Sequence, residues 1–205
     1  LKVARKLWLN GGVIIRLEDY CGKDRDSIPE LFLNNLKTAT DWVVKKINVE
    51  VLLEYTLDNP ENNGLHTVMH FCNLLKVSAV ENVRSRAGEG ILKIMPYLPV
   101  EQRNDAAVEL VRALEMEGNR FTEYIPNYLG QMILWLKPVE LNELVDDLSE
   151  KMKQSNSQLK CLLLKTIGTC IAHYSNYGER FKESQEYLDS RLVKMLSILL
   201  SGLGD

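Results

Sequence analysis

The sequence predicts an all-α protein built as a stack of helical hairpins. Its apolar residues return at a constant interval of 38 positions between Val80 and Tyr174. Val83, Ala87, Ile91, Ile94, Met95 and Leu98 superpose on Phe121, Ile125, Leu129, Met132, Ile133 and Leu136, and these in turn on Leu159, Leu163, Ile167, Cys170, Ile171 and Tyr174. Within each set the steps of 4, 4, 3, 1 and 3 hold all six side chains on one stripe of a 3.6-period helix. Conversely, no stretch alternates with period two, and apolar runs such as Val13-Ile14-Ile15 are short and isolated, so strand content near zero is expected.

In chain order, residues 1–9 read as a short helix stopped by Asn10-Gly11-Gly12, and residues 13–20 as a second. Ser27 with Glu30 forms a capping box, Pro29 fits the first turn, and a long helix is expected to carry Leu31, Leu36, Ala39, Trp42, Val43 and Ile47. A break near Asn48 opens a further helix with Val51, Leu52, Tyr55 and Leu57. Asp58-Asn59-Pro60-Glu61-Asn62-Asn63-Gly64 then reads as a loop and as the clearest boundary in the chain, because proline, asparagine and glycine favour turns.

Beyond it the helices pair regularly: 65–76 with 80–98, 100–117 with 119–136, and 139–153 with 157–174, the first of each pair A-type and the second B-type. Gly118 ends one A helix, Asn156 or Ser155 caps a B helix, and Pro99 and Pro138 open A helices. The A helices keep register too, with Met69, Ala107 and Val145 at one position and Cys72, Leu110 and Leu148 at another. After Asn176-Tyr177-Gly178 comes one more A-like helix through Leu188, Leu192, Met195, Leu196 and Leu199, without a B partner. The organisation expected is one domain over 1–205: irregular helices to 64, hairpin repeats over 65–98, 99–136 and 137–174, and half a repeat over 175–205. A chain that begins with leucine and ends just after an apolar helix is also expected to be part of a larger protein.

Val83-Arg84 followed by Ala87 and Ile91 resembles the second helix of a HEAT repeat, with its V-R-x-x-A-x-x-x-L pattern, and the 38-residue interval sits beside the unit length of about 40 in HEAT and armadillo arrays. The full pattern stands once; the other B helices carry Phe121, Thr122 and Ile125, then Leu159, Lys160 and Leu163. The resemblance implies a right-handed α-α superhelix, with A helices on the convex layer and B helices lining the concave one. Such arrays usually serve as docking surfaces, although the alkylpurine DNA glycosylases of HEAT-like build are enzymes on the same scaffold.

A net charge of -3 with pI near 5.7 opposes wholesale binding to phosphate backbone, and no apolar run approaches the roughly 20 residues needed to cross a bilayer. Cys21, Cys72, Cys161 and Cys170 show no paired metal spacing, so reduced, mostly buried thiols and a cytoplasmic location are expected. His66-Thr67-Val68-Met69-His70 places two imidazoles on one helical face, but Thr67 stands where a zinc protease needs glutamate and no third ligand follows. Gly88-Glu89-Gly90 lacks the remainder of a phosphate loop, while Gly130 and Gly168 share a repeat position that suits close helix approach. His173 and the carboxylates Asp146, Asp147, Glu115 and Glu117 form no catalytic motif. No enzyme, metal or cofactor is therefore expected.

Charge separates by helix type. Residues 100–117 and 139–153 each carry five acids and two bases, for -3 apiece, whereas 81–98, 120–137 and 157–174 come to +1, +1 and +2. Tyr97, Trp135 and His173 share one repeat position beside the core stripe, and aromatic residues are common anchors of interfaces. The expected binding face therefore comprises Arg84, Arg86, Lys93, Tyr97, Arg120, Trp135, Lys160, Lys165 and His173 on the B helices. A scaffold that binds another protein, or another domain of the same polypeptide, is the leading expectation. The alternatives are a HEAT-like nucleic-acid-binding or DNA-repair module and an accessory domain of a larger enzyme.

Overall fold

Helix accounts for most of the backbone hydrogen bonding among the described residues. A computed structural model describes residues 40–116 and 121–204; 88% of these are helical and none lies in a strand, so the all-α class stands. The helices expected over 1–9, 13–20 and from Ser27 to 39 lie outside the described residues, as do Cys21, Gly118 and Arg120. The chain divides into two compact units, Leu1–Pro99 and Val100–Asp205.

The first unit contains α1 (Trp42–Asp58), α2 (Pro60–Val77) and α3 (Glu81–Ile94), the last extended by a 3-10 turn at Met95–Tyr97. Helix α1 begins where Asp41, in extended backbone, accepts a hydrogen bond from the Val43 amide at 2.8 Å, a side-chain cap for an otherwise orphan donor. A single helix running from Ser27 to Ile47 is thereby excluded. The expected break at Asn48 is also absent. Its buried amide Nδ2 donates to the Val44 carbonyl at 2.7 Å, so the side chain turns back onto the helix it was expected to interrupt.

The loop expected over 58–64 shrinks to one residue, Asn59, with φ -147°. Pro60 follows at the first helical position, where no amide donor is required, and α2 runs on through Asn62 and Asn63. Gly64 serves packing instead of a turn: a Cβ there would stand 2.5 Å from Leu98 Cδ2. Helix α3 packs against both α1 and α2, and its stripe of Val83, Ala87, Ile91, Ile94, Met95 and Leu98 is buried throughout.

The second unit contains α4 (Val100–Leu114), α5 (Ile125–Met132), α6 (Pro138–Gln154), α7 (Ser157–Ala172), α8 (Tyr177–Phe181) and α9 (Gln185–Leu203). Helix α4 stops short of the expected 117. The helix expected over 119–136 is three pieces, with 3-10 turns at Thr122–Tyr124 and Ile133–Trp135 flanking α5. Pro126 sits in the first turn of α5, where its missing N–H is tolerated; deeper within a helix it would remove a hydrogen bond. Asn156 caps α7 by accepting from the Leu159 amide at 2.9 Å, and Pro138 opens α6, both as expected. Asn176-Tyr177-Gly178 does not break the chain as expected. It leads into α8, and the turn comes at Lys182, whose φ of 53° is left-handed.

Of the second and third stripes only Phe121, Leu159 and Ile171 are half-buried; the remaining members are buried. In the A register Cys72, Ala107, Leu110, Val145 and Leu148 are buried and Met69 is half-buried. Helix α5 packs against α7 at Gly130, where an added Cβ would meet Thr166 O and Thr169 Cβ at 2.6 Å and the Cys170 amide nitrogen at 2.9 Å. Gly168, at the equivalent position, has nothing within 4 Å of its would-be Cβ, so close approach accounts for the first glycine and not the second. Helices α4 and α6 lie parallel. Lys137 pairs with Glu101 at 3.3 Å at one end and Lys151 with Glu115 at 2.6 Å at the other, the same 36-residue separation each time.

Candidate binding face

The expected cations fall into three physical situations. Arg84 is buried, 4% exposed, with Nη1 donating to the Ser78 carbonyl at 2.6 Å, so it ties α3 to the preceding turn and offers no charge to a partner. Arg86 is half-buried and committed to two carboxylates: it makes a two-pronged contact with Glu50 of α1, Nη2 to Oε2 at 2.6 Å, and reaches Glu89 at 2.5 Å. The Glu50 hydrogen bond, against some desolvation, holds its pKa above the ordinary value. Lys93 on α3 and Lys165 on α7 are exposed, and neither has an ion-pair partner among the described residues. Lys160 is half-buried at a shallow cleft of about 70 Å³ formed with Ser149, Met152 and Lys153 of α6 and Ile198, Ser201 and Gly202 of α9.

The three rings of the shared repeat position also part ways. Tyr97, in its 3-10 turn, is 60% exposed. Trp135 occupies the equivalent turn of the second unit but is half-buried, with the Arg180 guanidinium 3.4 Å from its ring centroid and that of Arg103 5.7 Å away. Both arginines are anchored by carbonyls, Arg103 to Trp135 O at 3.0 Å and Arg180 to Leu134 O. Burial lowers the pKa of both, and the like charge of Arg103 lowers Arg180 further. Trp135 is therefore a stacking platform for cations, worth roughly 0.5–2 kcal/mol per contact, instead of an open apolar anchor. His173 is exposed at the C-cap of α7, its amide donating to Thr169 and Cys170 carbonyls at 3.2 Å.

One buried polar centre was missed from sequence. Arg191 of α9, 5% exposed, makes paired contacts with Glu183 at 2.6 and 2.8 Å, donates to Tyr174 Oη at 2.9 Å and to Asn142 Oδ1 at 2.6 Å, and lies over the Tyr177 ring. Burial alone would lower its pKa, but the Glu183 and Tyr174 hydrogen bonds hold it above the ordinary value. Tyr177 Oη, buried beside it, donates to the Leu136 carbonyl at 2.9 Å. The signal was present: Arg191 falls on the stripe of Leu188, Leu192, Met195 and Leu199. Leu196, assigned to that stripe, is instead 39% exposed.

The His66 and His70 rings meet each other, Nε2 to Nε2 at 3.1 Å, and among the described residues no cluster of three or more His, Cys, Asp or Glu could hold a metal ion. Cys72 and Cys170 are buried thiols outside any disulfide and Cys161 an exposed one; burial pushes the pKa of Cys170 up to about 12. No helix among the described residues is long and apolar enough to cross a membrane.

What fold and surface define, among the described residues, is an all-helical arrangement in which α4 and α6 are joined by ion pairs and Lys93 and Lys165 are exposed without one. A scan against protein-family models, a search of curated proteins and a search of solved structures each return no match.

Proposed function

We propose that this chain is a non-enzymatic helical-repeat scaffold, of the HEAT and armadillo kind, that binds an acidic protein or an acidic domain of its own polypeptide through the B-type helices α3 and α7. The observation that supports this reading is the contrast among lysines. Lys137, Lys151 and Lys194 are spent on Glu101, Glu115 and Asp146 of neighbouring helices, while Lys93 and Lys165 stand exposed with no such partner among the described residues. A partner's carboxylates are steered toward these lysines. Tyr97, 60% exposed, is the aromatic contact nearest in sequence to Lys93.

The test uses poly-L-glutamate and a DNA duplex as probes for the full chain, across a salt series. The acidic polypeptide should bind with modest salt dependence, and Lys93→Glu and Lys165→Glu should each slow association. Tight duplex binding at physiological salt, with a log–log slope near the number of phosphates contacted and loss in both variants, would overturn the reading in favour of nucleic-acid recognition.

A further inference from the structure

Helices α4, α6 and α9 share one pattern of inward residues. The buried Ala106, Ala107 and Leu110 of α4 correspond, 38 residues on, to Leu144, Val145 and Leu148 of α6. Those correspond, 47 residues on, to Arg191, Leu192 and Met195 of α9, all buried or half-buried; the extra nine residues accommodate α8. Like α4 beside α6, helix α9 runs parallel to α6. Arg191 meets Asn142, and one turn later Lys194 meets Asp146.

With the register fixed, the face that each helix turns to the next becomes identifiable. Helix α4 presents Glu101 and Glu115, and α6 answers with Lys137 and Lys151; α6 presents Asp146, and α9 answers with Lys194. On each occasion an acid on one helix is met by a lysine from the helix laid alongside. The positions of α9 equivalent to Glu101, Asp146 and Glu115 are Glu186, Val193 and Leu200. Glu186 and Asp189 have no ion-pair partner among the described residues, Asp189 accepting only from Gln185 Nε2 at 2.7 Å. Past them the same face turns apolar: Val193, Leu196, Leu200 and Leu203 are 65%, 39%, 69% and 70% exposed, spaced 3, 4 and 3 as in a coiled-coil seam.

We propose that this face of α9 seats an amphipathic helix of a partner protein. The helix lies parallel to α9, with lysine or arginine in its first turn against Glu186 and Asp189, as Lys137 at the start of α6 lies against Glu101. Its later turns are apolar and cover the seam. A second copy of this chain is a poor occupant. Parallel pairing of two α9 helices sets Glu186 against Glu186, and antiparallel pairing drives Glu186 and Asp189 onto Leu200 and Leu203 with no base to meet them. This face uses neither Lys93 nor Lys165, so either proposal survives failure of the other.

The experiment titrates the full chain into two labelled synthetic helical peptides of about five turns, read by fluorescence anisotropy. Both carry leucine at seam positions; one has lysine and the other glutamate in its first turn. The lysine peptide should bind about tenfold or more tightly than the glutamate peptide. Leu200→Asp should abolish binding while leaving the thermal midpoint in place, since Leu200 is exposed, and the double variant Glu186→Lys, Asp189→Lys should invert the preference. Equal affinity for the two peptides would overturn the proposal. So would binding indifferent to Leu200→Asp, or a dimer in sedimentation that Leu200→Asp dissolves.

Discussion

Helix α7 is covered on two sides, and the two sides are held by different physics. Toward α5 the contact is backbone to backbone, because Gly130 has no side chain to keep the Thr166 carbonyl and the Cys170 amide away. Toward α9 the spacing is filled by side chains. Leu164 reaches the Gly202 position, Cys170 Sγ stands 3.7 Å from Met195 Sδ, and the buried Arg191 holds α9 to Glu183 and Tyr174 beyond the end of α7. A repeating apolar stripe thus specifies which residues face inward, while small and charged residues decide how closely successive helices approach.

The largest expected effect strikes the interior of α7. Leu163, wholly buried, carries the third stripe, and Leu163→Asp buries an unpaired charge that should cost several kcal/mol. Denaturant melts followed by far-ultraviolet circular dichroism should show the loss, and a midpoint close to that of the parent would refute the register. Next in size is Arg191→Met, which leaves Glu183 half-buried without its cation and should cost about 3–5 kcal/mol. Adding Glu183→Leu should recover much of that loss, because the orphaned charge is then gone. If the double variant is no better than the single, the network is not what fastens α9.

The glycine pair isolates the close approach of α5 to α7. Alanine is favoured over glycine inside a helix by about 1 kcal/mol, yet at Gly130 its Cβ would press on backbone atoms that cannot swing away. Overpacking of about 1–3 kcal/mol should win, and Gly130→Ala should melt lower. At Gly168 nothing opposes the gain, so Gly168→Ala should melt higher by up to about 1 kcal/mol of stability. A higher midpoint in Gly130→Ala as well would mean that α5 and α7 do not approach backbone to backbone.

The helices and their inward stripes were legible because helical periodicity is a local property. Ala87, Ile125 and Leu163 were placed from spacing alone, and all are wholly buried. Joints were less legible because residue identity does not fix them. Pro60 and Gly64 read as breakers, but proline is acceptable at a first helical position and glycine is acceptable where another helix presses close. The binding residues were hardest, since partners distant in sequence decide their fate. Arg180 lies 45 residues beyond the Trp135 ring that it covers, and the Glu50 that occupies Arg86 lies 36 residues before it. Charge counts along single helices did not show which charges cancel across the gap between neighbours.

Lysine footprinting tests most directly the functional claim that follows from that cancellation. The full chain is acetylated briefly with and without poly-L-glutamate, and the change at each lysine is read by mass spectrometry. The account predicts that the acidic probe shields Lys93 and Lys165 and leaves Lys137, Lys151 and Lys194 unchanged, since those three already face Glu101, Glu115 and Asp146. Shielding of the paired lysines with Lys93 and Lys165 untouched would contradict it.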